Sequence, residues 1–121
     1  MPEKTTVLVV EDNHDARRTL AMLLRLHGHE VREAADGPSG LREALAWRPG
    51  AAVIDIGLPG LDGWALAERA RAHLGGSVLL VALTGYGTQW DRARSLEAGF
   101  DEHLVKPVDL PRLLGLLDRA T

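Results

Sequence analysis

Cysteine is absent from the 121 residues, and that absence excludes a disulfide framework, a thiolate metal site and a cysteine nucleophile. It fits a reducing compartment, and the cytoplasm is the expected location. Long hydrophobic runs are missing too: the longest, Val78 to Leu83, falls far short of the roughly 20 residues that a membrane span needs. The opening MPEKTT has no basic segment leading into an apolar one, so neither a signal peptide nor a membrane partner is expected. Lysine is confined to Lys4 and Lys106, and arginine supplies the remaining basic side chains. The net charge is −3 and the charges are interspersed, so no basic stripe exists to hold a phosphodiester backbone, and no direct nucleic-acid contact is expected. The preference for Arg over Lys, with abundant Ala, Leu and Gly, is compatible with a GC-rich bacterial genome.

What is present is an alternation. Short β-branched runs alternate with longer segments of helical period, the pattern of repeated βα units around a parallel sheet, and 121 residues hold one such core. The first strand is predicted over about Thr6 to Val10, followed by a helix capped by Asp12 or Asn13. That helix carries Ala16, Leu20, Leu23, Leu24 and His27 at helical spacing until Gly28. A second strand covers Glu30 to Ala34. Asp36-Gly37-Pro38 then opens a helix with Leu41, Ala44 and Leu45, closed by Pro49-Gly50. AAVID is the third strand. After the turn-rich IGLPGLDG, a helix from about Gly63 turns Leu66, Ala70 and Leu74 inward and stops at Gly75-Gly76. SVLLVAL forms the fourth strand, and Ala93, Leu96 and Ala98 mark the inward stripe of the next helix. Glu102 to Val105 and a helix carrying Leu110, Leu113, Leu114 and Leu117 complete five units.

The chemistry-bearing residues sit where the apolar runs end: Glu11 and Asp12 after TTVLVV, Asp55 after AAVI, Thr84 after VLLVAL and Lys106 after HLV. Ligands of open parallel α/β sheets bind in the crevice beyond the carboxyl ends of the strands, so these residues share one predicted site. Three crowded carboxylates raise one another's pKa unless a cation compensates, and oxygen-only ligation suits Mg²⁺ or a similar hard ion such as Mn²⁺. Lys106 adds a fixed positive charge and Thr84 a hydroxyl, together able to neutralise a transferring phosphoryl group. Asp55 stands alone on its strand before an exposing loop and is the predicted nucleophile.

LVVEDN, AVIDIGLPGLDG, ALTG and HLVKPVD, in this order, resemble the receiver domain of two-component response regulators over essentially the whole chain, 1–121, as a single domain. The resemblance implies an α/β, doubly wound (βα)5 flavodoxin-like fold with a five-stranded parallel sheet of order 2-1-3-4-5. It implies that Asp55 accepts a phosphoryl group from a sensor histidine kinase or histidine phosphotransfer protein. Glu11, Asp12, Asp55 and the backbone carbonyl of Gly57 would organise Mg²⁺, Lys106 would contact the phosphoryl group, and Thr84 would switch toward it. Lys106-Pro107 would be a cis peptide. The implied output is an altered surface, commonly of the fourth and fifth helices, for a downstream protein or a homodimer. Such a protein catalyses only its own phosphorylation and dephosphorylation, and the chain is expected to be a stand-alone regulator or the receiver of a larger hybrid protein.

Two positions depart from the family's commonest pattern. His103 stands where an aromatic Tyr or Phe usually changes rotamer with Thr84, and an imidazole there could tie the switch to pH. Tyr86 flanks the path of a water attacking the acyl phosphate and is expected to slow hydrolysis. Trp90 is placed between an exposed output face and ordinary packing against the preceding loop, whereas His14, His27, His29 and His73 are assigned surface or cap roles. Among rival readings, a flavodoxin-like cofactor binder would place a phosphate against EDNHD, whose acidic side chains repel it. An aspartyl phosphatase of the haloacid dehalogenase type needs a second Asp two residues after the nucleophile, where Gly57 stands. An interaction-only receiver that has lost phosphotransfer is the remaining alternative.

Overall fold

The computed structural model describes residues 5–85 and 89–120, with backbone alone at 89 and 90. The expectations for Tyr86 and for the Trp90 side chain therefore lie outside the described residues. The chain runs β1 (Thr6–Val10), α1 (His14–Leu26), β2 (Glu30–Ala34), α2 (Gly37–Trp47), β3 (Ala51–Asp55), α3 (Gly63–Leu74), β4 (Leu79–Thr84), α4 (Gln89–Ala98), β5 (Glu102–Val105) and α5 (Leu110–Asp118). All strand pairs are parallel, in the order β2-β1-β3-β4-β5. The predicted order is the observed one.

Side chains alternate across a strand, so each central strand supplies both of its faces with apolar residues and two cores form. Leu8, Val10, Ala52, Ile54, Leu80 and Ala82 pack beneath α2 and α3, whereas Val7, Val9, Val53, Val81, Leu83 and Leu104 pack beneath α1 and α5. Caps define the helix starts. Asn13, Asp36, Asp62 and Asp109 each accept a backbone N–H three residues on, satisfying one of the donors that a helix N-terminus leaves unpaired. Asp62 is thus the cap of α3. Of the two candidates before α1, Asn13 takes the cap and Asp12 is left to point elsewhere. Gly28, at φ 93°, turns the chain from α1 into β2 in a conformation that penalises any Cβ.

The structure corrects three readings. The fourth strand begins at Leu79, because Ser77 belongs to a 3₁₀ turn, Gly75–Ser77, in which its Oγ donates to the Leu74 carbonyl at 2.6 Å. Leu96 lies outside the inward stripe of α4: it is 67% exposed, Ala93 is exposed too, and the buried residues among those described are Ser95 and Ala98. The cause is Trp64 of α3, whose Nε1 donates to Ser95 Oγ at 3.1 Å. That contact turns the small face of α4 inward, and the Arg94 guanidinium lies over the same indole, 5.2 Å from its centroid. His29, assigned to the surface or a cap, is buried instead, and its Nδ1 accepts the Thr5 N–H at 3.2 Å. Among the described residues, no helix is long and apolar enough to cross a membrane.

Candidate functional site

The register of the sheet brings the acidic residues together. Val9 pairs with Val53 and Val10 with Ile54, so Glu11, the next residue on β1, emerges beside Asp55 at the end of β3. Glu11, Asp55 and Lys106 each follow by two residues a member of the α1/α5-side core, namely Val9, Val53 and Leu104, so the period of two aims all three to one face. Lys106 leaves β5, two strands from β3, a gap of about 10 Å at the usual strand spacing. Only a long cationic side chain covers that gap. Its Nζ donates to Asp55 Oδ2 at 3.1 Å and to Glu11 Oε1 at 2.7 Å.

Glu11 is held at every polar atom. Its N–H donates to the Ala34 carbonyl at 3.1 Å, its carbonyl accepts Arg17 Nη1 at 3.1 Å, Oε2 accepts the Asn13 N–H at 3.2 Å, and Oε1 takes Lys106. Asp55 is fixed similarly, Oδ1 accepting the Gly57 N–H at 2.9 Å while Oδ2 faces Lys106. The loop that follows folds back tightly onto Asp55. A Cβ at Gly63 would stand 2.5 Å from Ile56 Cα and 2.6 Å from the Asp55 carbonyl oxygen, so only glycine starts α3 at this distance. Asp12 is exposed, yet one carboxylate oxygen each of Glu11, Asp12 and Asp55 lies within 4.8 Å of the others.

The electrostatics follow from burial and contact. Burial opposes ionisation of Glu11 more than the hydrogen bonds from Lys106 and Asn13 favour it, and Asp55 beside it adds to the effect, so its pKa is raised. Burial opposes ionisation of Asp55 too. There the hydrogen bond from the Gly57 N–H, with those of Glu11 and Lys106, outweighs it and holds the pKa below the usual carboxylate value. Asp55 is therefore the carboxylate that gives up its proton more readily. Desolvation of the Lys106 ammonium is overcome by its two carboxylate partners, which raise its pKa and keep it cationic.

The donor set suits a hard divalent cation: it consists of oxygens alone, one side is open to water through exposed Asp12, and the charge gathered there exceeds what one ammonium balances. Mg²⁺ fits these residues, and Mn²⁺ shares the same ligand preference.

The other predicted residues fall around this cluster. Thr84 is 2% exposed at the end of β4, next along the chain from Leu83, which pairs with Asp55, and its carbonyl accepts the Lys106 N–H at 2.7 Å. The Lys106-Pro107 bond is cis. Gly57 reaches the site through its N–H on Asp55. His103 pairs with Ala82, two residues before Thr84 on the sheet; both ring nitrogens are buried and, among the described residues, without a hydrogen-bond partner. Burial, with Arg92 and Arg112 nearby and Asp91 opposing them, lowers its pKa. Arg17 was not singled out by the sequence. It is the fourth residue of α1, about one turn into the helix, and no motif marks an arginine whose target is a main-chain carbonyl.

A family model described as the response regulator receiver domain matches residues 7–118. The transcriptional regulatory protein PrrA of Mycobacterium leprae is 43% identical over 108 residues, covering 89% of this chain and 46% of PrrA. The transcriptional regulatory protein CseB of Streptomyces coelicolor is 38% identical over 109 residues, 90% of this chain and 46% of CseB. This chain spans about half the length of the curated relatives it matches. Among solved structures, the receiver domain of a sensor histidine kinase from Pseudomonas aeruginosa, with a magnesium ion coordinated in its active site cleft, has a TM-score of 0.86. It is 35% identical, with 97% of each chain covered. The chemotaxis protein CheY4 of Vibrio cholerae has a TM-score of 0.89 at 26% identity, with 98% of this chain and 100% of CheY4 covered.

Proposed function

We propose that this chain, which belongs to the response regulator receiver domain family, takes up a phosphoryl group on Asp55 from a phosphohistidine of a sensor kinase or phosphotransfer protein. Receiver domains of response regulators act in two-component systems, and this one carries the acidic cluster with which such domains bind Mg²⁺. The observation that carries the residue assignment is the joint contact of Lys106 Nζ with Asp55 and Glu11, from a strand two places away.

In this reading a carboxylate oxygen of Asp55 forms the O–P bond as the N–P bond of the donor breaks, and the electron pair returns to the imidazole. Asp55 enters as the anion, because its pKa is held low. A cation held by Glu11, Asp12, Asp55 and the Gly57 carbonyl would supply charge neutralisation for the phosphoryl oxygens. Lys106 releases the carboxylates and turns to those oxygens. Its backbone N–H is bonded to Thr84, so movement at the end of β5 reaches the end of β4, where the Thr84 hydroxyl is placed to follow. The phosphoryl group adds roughly −1.5 to −2 charges, and the surface changes only as far as the two conformations hold it differently. The reaction ends with this chain's own aspartate, so turnover of external substrates is not part of the proposal.

The whole of 1–121 acts as one receiver unit in the cytoplasm, alone or within a longer regulator, with a downstream protein or a second copy as the target of α4 and α5. The test is intact mass after incubation with acetyl phosphate and Mg²⁺. A gain of roughly 80 Da, the mass of one phosphoryl group, that is lost in Asp55→Asn and with EDTA supports the reading. No gain while a control receiver is labelled rejects it in favour of an interaction-only module.

A further inference from the structure

The acidic cluster depends on the direction of one peptide group, that between Glu11 and Asp12, because both carboxylates hang from it. Its carbonyl lies past the last ladder bond of β1 and before the first bond of α1, so no secondary structure fixes it. Arg17 fills that gap. Its Nη1 donates to the Glu11 carbonyl at 3.1 Å, its Nε faces Glu33 Oε1 at 3.4 Å, and its Nη2 lies 3.0 Å from His14 Nδ1. Both Arg17 and Glu33 have side chains only 13% exposed, and Glu33 pairs with Val9 across the β1–β2 register. Glu33 also receives Arg18 at 3.3 Å and Arg25 at 3.2 Å, so one β2 carboxylate anchors three arginines of α1.

We propose that Arg17, anchored by Glu33, is a positioning residue that orients the Glu11–Asp12 peptide and thereby sets how tightly the acidic cluster holds a divalent cation. The inference rests on the reading of that cluster given above. A guanidinium suits the task because its planar fork addresses a carbonyl and a carboxylate at once, which an ammonium cannot do in the same geometry.

The sign of the effect separates positioning from charge. A buried cation beside the cluster repels Mg²⁺, so if Arg17 acted only through its charge, Arg17→Met would tighten Mg²⁺ binding. If it positions the peptide, Arg17→Met weakens binding, by about tenfold on the scale of outer-shell partners of metal ligands. Arg17→Lys keeps the charge but loses the fork and stays weak. Glu33→Gln, which removes the anchor and leaves Arg17 in place, weakens Mg²⁺ in the same direction.

The experiment is calorimetric titration of Mg²⁺ into wild type, Arg17→Met, Arg17→Lys and Glu33→Gln, each first shown to unfold cooperatively. Asp55 labelling by acetyl phosphate is then measured below and at Mg²⁺ saturation. The expected result is weaker Mg²⁺ binding in all three variants, with labelling slowed below saturation and restored at saturation. Equal or tighter binding by folded Arg17→Met, or full recovery by Arg17→Lys, overturns the inference while leaving the function intact. Wild type that binds no Mg²⁺ overturns the reading of the cluster, and the inference falls with it. Should Arg17→Met not fold, Glu33→Gln decides alone, and unchanged binding there overturns the inference.

Discussion

Replacing Lys106 by Met removes one charge and little volume, and the structure fixes what is left behind. The carboxylates of Glu11 and Asp55, with side chains 5% and 12% exposed, lose the cation that lies 2.7 and 3.1 Å from them. Breaking a buried ion pair from one side costs about 3–5 kcal/mol. The Lys106 side chain is 35% exposed, so solvent already screens part of that, and Glu11, whose pKa is raised, can take up a proton. A loss of about 2 kcal/mol at neutral pH follows, which at a urea slope of about 2 kcal/mol/M lowers the midpoint by about 1 M. The pH dependence has a definite sign. Glu11, raised in the folded state, is most costly at high pH, and the cost disappears as pH falls toward its unfolded value near 4.5. Asp55, lowered by Gly57, Glu11 and Lys106 against its own burial, contributes stability above about pH 3.8 and loses it as pH falls through its folded value. Without Lys106 that contribution shrinks, a part of the gap that persists down to pH 4.5, whereas the Glu11 part makes the gap between wild type and Lys106→Met widest near pH 7 and narrows it toward pH 4.5. Saturating Mg²⁺ narrows it as well, because the metal takes over the neutralisation. Urea melts of both proteins at pH 7 and 4.5, with and without Mg²⁺, measure all four gaps. A gap unchanged by pH and metal would refute the electrostatic argument.

Gly63→Ala forces a methyl group into backbone atoms at 2.5 and 2.6 Å, which costs about 3 kcal/mol in a urea melt and weakens Mg²⁺ binding by displacing Asp55. An ordinary helix-favouring gain would show that the loop yields. Arg71 donates to the carbonyls of Gly99, Gly75 and Val78 and to Asp101, joining the end of α3 to the starts of β4 and β5. Arg71→Ala should lose about 2–3 kcal/mol, and Arg71→Lys should recover little of it, since one ammonium cannot serve carbonyls in several directions. His103 is half-buried, with both ring nitrogens shielded from solvent and Arg92 and Arg112 nearby, so the unfolded chain takes up a proton below about pH 6.5 that the folded one resists. The stability of wild type relative to His103→Phe should therefore fall between pH 7.5 and 5.5; parallel melting curves over that range would remove the pH dependence.

The strands and the acidic site were legible in the sequence because both rest on short-range signals: β-branched runs bounded by glycine and proline, and charged residues at the ends of those runs; the order of the strands came from the resemblance of the motifs. Once the strands are parallel and ordered, Glu11 and Asp55 become neighbours without further information. Lys106 is legible for the same reason, as the lone cation at its strand end. What sequence spacing missed depends on contacts between distant segments. Helical period alone turns Leu96 inward, but Trp64, more than 30 residues earlier, occupies that face of α4 and leaves Ser95 against it. His29 is polar by type and buried by position, because the Thr5 N–H needs an acceptor where β1 begins. Arg17 reads as one basic residue among several on α1, and only the fold shows that its partners are Glu11 and Glu33.

The Trp64 indole bridges two helices, bonded through nitrogen to Ser95 and covered by the Arg94 guanidinium, both from α4. An indole's emission shifts with the polarity and charge around its ring, so this pair of contacts converts displacement of α4 into a change of colour. Trp47, covered by Arg32 of β2 at 4.6 Å, sits at the opposite edge of the sheet and stays dark to such displacement. Once the emission of the third tryptophan, Trp90, is removed by substitution, the chain carries its own optical gauge of helix position, with a built-in reference, and needs no attached dye.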